Sequence, residues 1–236
     1  MQKKDQIYEG KAKKVFDTDD PKLIIQEFKD DATTFDATKR GTIGQKGVVN
    51  NQISTMLFEL LASNGVPTHF VRKVSDREML AKKVAIIPIE VTIRNIVAGG
   101  MSKLLGIEEG RELKQPVLEY HYKNDALHDP LINEYHIKAL DMASDKEMEK
   151  IRDFSFKIND VLRKFFDKKD LILVDFKLEF GKHNDSLLLA DEISPDTCRL
   201  WDKATKKKLD KDRFRRDLGG VEEAYQEVLR RMTKES

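Results

Sequence analysis

The clearest alternation in the chain runs through LILVDFKLEF, residues 171–180. Phe176, Leu178 and Phe180 fall on one side of an extended segment, and Asp175, Lys177 and Glu179 on the other. A core takes the first side, and the second presents carboxylates around a lysine. The stretch GKHNDS, residues 181–186, has turn composition, after which Leu187 to Ala190 returns as a second strand toward Asp191 and Glu192. The pattern predicts a hairpin that carries Asp191 back toward Lys177 and Glu179.

The rest of the chain alternates between short strand-like and longer helix-like patterns. Ile7 to Asp17 reads as strand, glycine-containing turn at Gly10 and strand, and Lys22 to Phe28 as a third strand. Asp30 to Gly47 is a long polar connection. From Gly47 the spacing of Val49, Ile53, Leu57 and Leu60 predicts a helix, stopped by Asn64-Gly65 and Pro67. His69 to Val74 predicts another strand. The apolar run VAIIPIEVTI within Lys82 to Asn95 is interrupted by Pro88, which argues for an edge or a break rather than a continuous central strand. Ala98-Gly99-Gly100 opens a short helix ending near Gly106, and Lys123 to Glu134 reads as a loop. A capping box at Ser144 and Glu147 starts a long helix whose core face is Met148, Ile151, Ser155, Ile158, Leu162 and Phe165. Lys203 to Arg216 reads as the solvated, basic start of a helix. Val221, Tyr225, Val228 and Met232 give a closing amphipathic helix.

At 236 residues the chain suffices for one large domain or two lobes sharing a cleft. Its 43 basic and 42 acidic residues leave a net charge of +1, which argues against recruitment to nucleic acid or membrane by bulk charge. A polar opening segment and the lack of a long apolar run predict a cytosolic protein. The single Cys198 excludes an intrachain disulfide, and no neighbouring base marks it as a nucleophile.

Two carboxylates about 4 Å apart at an effective dielectric of about 20 repel by roughly 4 kcal/mol, and a divalent cation reverses that sign. Glu179 and Asp191 are therefore candidate magnesium ligands, with Lys177 between them to meet a phosphate or carboxylate oxygen. A solvent-facing hairpin of alternating charge fits the spacing equally well. The turn at Gly10 to Lys14 suits either a phosphate or a solvated basic hairpin, since neither GxxxxGK[ST] nor GxGxxG occurs. Arg94 at a strand end, facing a helix start, makes a candidate anion site. His121 and His128 lack the partners that zinc requires.

Several runs resemble motifs of the SAICAR synthetase family. They are YEGKAKKVF, VTIRNIVAGG, KNDALHDP, LILVDFKLEFG, ADEISPDTCRLWD and KDRFRRDLGG, in one order from Tyr8 to Gly220. The resemblance implies an α+β, two-lobed fold related to ATP-grasp and kinase-like folds, with ATP in the cleft. Residues 1–82 would form an antiparallel-sheet, nucleotide-binding lobe, and residues 83–236 a larger α/β lobe with the substrate and magnesium site. It implies ATP contacts at Gly10, Lys11, Ala12, Lys13, Val15, Ile24, Lys82 and Lys123, and substrate contacts at Arg94, Gly99, Gly100, Asp129, Arg199 and Arg215. Glu179 and Asp191 would bind magnesium, and Lys177, Asp175 and Asp196 would serve catalysis. The family usually carries serine where this chain has Gly100.

The reaction implied joins L-aspartate to the carboxylate of CAIR, a carboxyaminoimidazole ribonucleotide, giving SAICAR, ADP and phosphate through an acyl phosphate. The family often forms dimers. The rival readings are a kinase of related fold, which should carry the absent HRD and DFG signatures, and an RNA-binding module using Lys11 to Lys14 and Lys206 to Lys211.

Overall fold

The computed structural model describes residues 1–34 and 39–234. Its elements in order are β1 (Lys3–Glu9), β2 (Lys13–Thr18), β3 (Leu23–Phe28), β4 (Asp31–Thr33), β5 (Arg40–Thr42), α1 (Lys46–Ser63), β6 (Phe70–Lys73), β7 (Glu78–Lys82) and β8 (Ala85–Ile96). There follow α2 (Gly99–Leu105), β9 (Glu112–Tyr122), β10 (Leu131–Ile132), α3 (Glu134–Ala139), α4 (Asp145–Asp167), β11 (Leu171–His183), β12 (Ser186–Ala190), β13 (Cys198–Asp202), α5 (Asp212–Arg215) and α6 (Val221–Thr233).

Two antiparallel sheets dominate. The N-terminal sheet has the order β1-β2-β3-β7-β6, with α1 packed across it. The second has the order β10-β9-β8-β11-β12, and β13 also pairs with β11. At 13 residues, β11 outlasts any single neighbour on one edge. Its first half pairs with β13 and its second half with β12, while β8 lies along the other edge. The segment joining β12 to β13 crosses between them, and Lys177 N–H donates to the Thr197 carbonyl there (2.9 Å). Helix α4 covers β11 and β8, and Asn95 and Asn159 exchange side-chain amide hydrogen bonds of 2.9 and 3.1 Å beneath it. The sheets meet at residues 67–69. There Thr68 bridges to Leu189, and His69 N–H donates to the Leu189 carbonyl (2.8 Å).

Local chemistry explains several elements directly. Ser144 accepts from the Glu147 N–H while the Glu147 carboxylate accepts from the Ser144 N–H, closing the expected capping box of α4. Phe176, Leu178 and Phe180 are all buried, as the alternation requires. The last core position of α4 is Phe166, with Phe165 only partly buried beside it.

Three expectations need correction. Pro88 does not break its strand: β8 is continuous and central. The pairing with β11 shifts register between Glu179 and Gly181, so the missing N–H falls at the irregularity. The hairpin turn is shorter than the composition suggests, because β11 runs on to His183 and only Asn184 and Asp185 turn the chain. Asn184 takes the left-handed conformation with φ 52°. Lys203 to Arg216 is not a solvated helix start. The stretch follows β13 and leaves Lys203, Lys206 and Lys207 exposed, but at and just before the one-turn α5 it buries Asp210, Lys211, Asp212 and Arg213. The polar connection after Asp30 contains the β4–β5 ribbon, and its residues 35–38 lie outside the described residues. Strands β7, β9 and β13 carry no alternation strong enough to be read in advance.

Candidate active site

The carboxylates of the central hairpin lie where the two sheets approach, and lysines from both sheets meet them. Glu179 stands opposite Ala190 on β12, one residue before Asp191, and opposite Glu90 on β8. Lys177 Nζ donates to Glu90 Oε1 at 2.5 Å and to Glu179 Oε1 at 3.2 Å. Lys123 Nζ, from the end of β9, donates to the same Glu179 oxygen at 2.7 Å. From the other sheet, Lys13 Nζ bonds Asp191 Oδ1 and lies 3.4 Å from Glu192 Oε1. Asp191 holds a left-handed backbone, φ 62°, and so turns its carboxylate out of the strand line.

Electrostatics follow from this crowding. Burial presses the Lys177 ammonium down, but Glu179, Glu90 and Asp191 outweigh it and hold it well above the usual lysine range. Lys13 behaves likewise between Asp191 and Glu192. Burial pushes the Asp191 carboxyl up, and Lys13 and Lys177 more than reverse this. Glu90 moves the other way: burial, with Glu179 beside it, raises its carboxyl despite Lys177.

A second constellation begins one strand away. Arg94 donates to Glu119 and, through Nη1, to Asp175 Oδ2, both at 2.8 Å. Arg199 Nη1 reaches both Asp175 oxygens at 3.0 and 2.8 Å, and its Nε reaches Asp212 Oδ2 at 2.9 Å. Arg215 Nη1 then donates to Asp212 Oδ1 at 2.7 Å. The result is a buried chain of alternating charge, Glu119–Arg94–Asp175–Arg199–Asp212–Arg215, along the start of α2. Gly99 closes it. Its φ is 54°, and a Cβ there would collide with the Arg199 guanidinium.

The remaining expected residues scatter more widely. Gly10 makes the tight β1–β2 turn, its N–H donating to the Lys13 carbonyl (2.8 Å), and Ala12 accepts from the Lys29 N–H. Lys11 is exposed and paired with Asp125 at 2.8 Å. Val15 and Lys13 share a face with Ile24, the last of these buried. Lys82 closes β7 with its N–H bonded to the His69 carbonyl. The Asp129 carboxylate turns back to accept from the Asn124 N–H (2.8 Å) and shapes its own loop. Gly100 has open space: a Cβ would meet only Arg94, 3.8 Å away.

Asp196 sits apart from the lysine–carboxylate cluster. Its Oδ2 accepts from Lys46 at 2.7 Å, and its Oδ1 from the Tyr225 hydroxyl at 2.5 Å. The pair with Lys46 is fully enclosed, and Lys211 lies 3.6 Å away. Sequence reasoning missed Glu90, Asp212 and Lys46. Glu90 was signalled only by being a charged residue inside an apolar run, and Asp212 by lying in the KDRFRRDLGG motif. Lys46 lies one residue before the readable helix pattern, with no signal of its own.

The sequence profile of SAICAR synthetase matches residues 6–232. A protein of Thermoanaerobacter sp. (strain X514) named phosphoribosylaminoimidazole-succinocarboxamide synthase is 60% identical over 232 residues, covering 98% of this chain and 99% of its own. The crystal structure of the synthase of that name from Ehrlichia chaffeensis superposes with TM-score 0.96 at 50% identity, covering 98% of this chain and all of that one. A SAICAR synthetase in complex with ADP matches with TM-score 0.93 at 50% identity, over 97% and 98% of the two chains. With its two antiparallel sheets, its lysine–carboxylate cleft and these similarities over nearly its whole length, the chain belongs to the SAICAR synthetase family of ATP-dependent ligases.

Proposed function

We propose that the chain joins L-aspartate to the carboxylate of CAIR, giving SAICAR while ATP becomes ADP and phosphate. The observation that carries this reading is the meeting of Lys13 from one sheet with Asp191 and of Lys123 and Lys177 from the other with Glu179. All three reactants are anionic, so a site for them must supply positive charge as well as orientation. Residues 1–82 supply most of the nucleotide's contacts, and residues 83–236 those of CAIR and aspartate together with Lys123, Lys177 and the magnesium carboxylates.

Magnesium fits the donors present. Glu179 and Asp191 offer hard oxygen ligands, and among the described residues no group of three or more His, Cys, Asp or Glu forms a ready cage. Such a pair suits an ion that arrives with phosphates and keeps several waters. When bound, the ion would neutralise phosphoryl oxygens during transfer.

In the free chain these two carboxylates are occupied by lysines. Nucleotide binding therefore exchanges partners, with Lys13, Lys123 and Lys177 turning to phosphoryl oxygens while Glu90 keeps Lys177 in reach. A CAIR carboxylate oxygen attacks the γ-phosphorus and ADP leaves. The aspartate ammonium gives one proton to water, and its amine then attacks the acyl carbon; phosphate departs with the bonding electron pair and takes up the second proton, which the new amide nitrogen releases. Arg94, Arg199 and Arg215 hold the CAIR phosphate, with Asp175 fixing Arg94 and Arg199 rather than touching the reacting atoms. Asp196 acts at a distance by anchoring Lys46 and Tyr225 under the β12–β13 crossing. The protein works in the cytoplasm, as a homodimer that sedimentation would reveal.

The test is ADP release from purified protein with magnesium, ATP, CAIR and L-aspartate, repeated with each component omitted. Full release that requires both CAIR and aspartate supports the ligase. Release indifferent to aspartate overturns it in favour of a kinase of related fold.

A further inference from the structure

Asp212 is the least exposed charged residue among the arginines of the second constellation, at 1% of its surface. Each of its oxygens serves a different arginine. Oδ2 accepts from Arg199 Nε at 2.9 Å, with Arg216 3.5 Å away, and Oδ1 accepts from Arg215 Nη1 at 2.7 Å. Those arginines come from separate elements, β13 and α5, and their side chains have no covalent reason to lie together. A carboxylate that accepts from both sets their separation and directs the guanidinium planes.

The backbone around Asp212 is pinned as well. Asp210 is buried, and its Oδ1 accepts from the Asp212 N–H (2.7 Å) while its Oδ2 accepts from the Leu200 N–H (2.9 Å). Leu200 follows Arg199, so one buried carboxylate ties the strand that carries one arginine to the turn that carries the other. The Leu209 N–H adds a bond to the Leu200 carbonyl (2.8 Å). Arg199 Nε and Nη1 are committed to Asp212 and Asp175, which leaves its Nη2 edge against Gly99 at the start of α2.

We infer that Asp212 is the positioning residue for the phosphate of the ribonucleotide substrate, holding Arg199 and Arg215 as one two-armed anion clamp. The inference rests on the assignment of these arginines to that phosphate. It extends the assignment by making the clamp depend on a carboxylate that never meets the ligand.

Asp212→Asn keeps size and one acceptor oxygen but removes the charge and one of the two acceptors. The expected result is a rise in KM for CAIR of about ten- to a hundredfold, the worth of one hydrogen bond to a charged group. KM for ATP should stay within about twofold, and the thermal midpoint in the absence of ligand should show a folded protein. Calorimetric titration with CAIR alone should show the same loss, and Asp212→Glu should recover part of it. An Asp212→Asn protein that binds CAIR normally, while Arg199→Lys and Arg215→Lys each weaken it, overturns the inference and leaves the arginine assignment standing. Normal CAIR binding in both lysine variants overturns the assignment and the inference with it.

Discussion

Gly100 is the residue whose substitution should improve this protein. The nearest group to a Cβ there is Arg94, 3.8 Å away, so the backbone has room for a serine Cβ beside that guanidinium. Gly100→Ser should lower the KM for CAIR by about tenfold, the low end for a hydrogen bond to a charged oxygen, as measured by initial rates at saturating ATP. Asp191 should be less forgiving. Asp191→Asn should abolish turnover at ordinary magnesium and weaken manganese binding followed by electron paramagnetic resonance; unchanged activity would contradict its place in the cleft. Lys46 belongs to stability instead. Lys46→Met leaves the enclosed Asp196 carboxylate with only the Tyr225 hydroxyl and the more distant Lys211, and should cost about 3 kcal/mol in urea unfolding. At this scale the sequence was legible wherever one residue type explains itself, as with the alternating Asp175, Lys177 and Glu179. Lys46 was not legible, because nothing local says that a lysine will be sealed against a carboxylate from the β12–β13 crossing.

Among the elements, β11 does the organising, since its two edges pair with β8, β12 and β13 and so line up the charged residues of one face of the sheet. Its period of two could be read at once, but its length could not. Gly181 to His183 have turn-like composition yet stay extended because β12 and β8 pair with them. Pro88 is the same lesson in reverse: a local breaker is tolerated where the register already slips. Helix α2 begins under the Arg199 guanidinium, and this gives its first residue no room. Gly99→Ala adds a methyl against Arg199 at a positive φ, so it should displace that arginine and raise the KM for CAIR more than the KM for ATP. Equal changes in both constants would show a general disturbance of the fold instead.

For the whole molecule, the ion-pair chain sets the response to acid. Burial pushes the Asp212 carboxyl up, but Arg199 and Arg215 bring it down to about 2, below the 3.8 of a free side chain. The stabilisation is therefore complete above the free value and is lost as pH falls through the lower one. Asp196 shifts in the same direction because Lys211 and Lys46 outweigh its burial. Stability should decline from about pH 4 downward, and Asp212→Asn should flatten the Asp212 share of that slope in chemical unfolding at graded pH. The two sheets pair directly at residues 67–69 and meet again at Lys13 and Asp191, so ligands that bind between them should brace the junction. ADP with magnesium at about a hundred times its dissociation constant should add about 2.7 kcal/mol and raise the melting midpoint by roughly 5–10 °C.

The sequence by itself determined the elements whose pattern is local: the two-residue alternation of β11, the capping box of α4, the amphipathic stripe of α6. Its ordered motifs also determined the family. Tertiary structure alone decided which charges meet. Glu90 faces Glu179, Asp212 bridges two arginines, and Lys46 closes on Asp196, each pair brought together by strand register or loop crossing. The reason is physical: periodicity reports which side of an element is apolar, whereas the partner of a buried charge depends on chain segments far away in sequence.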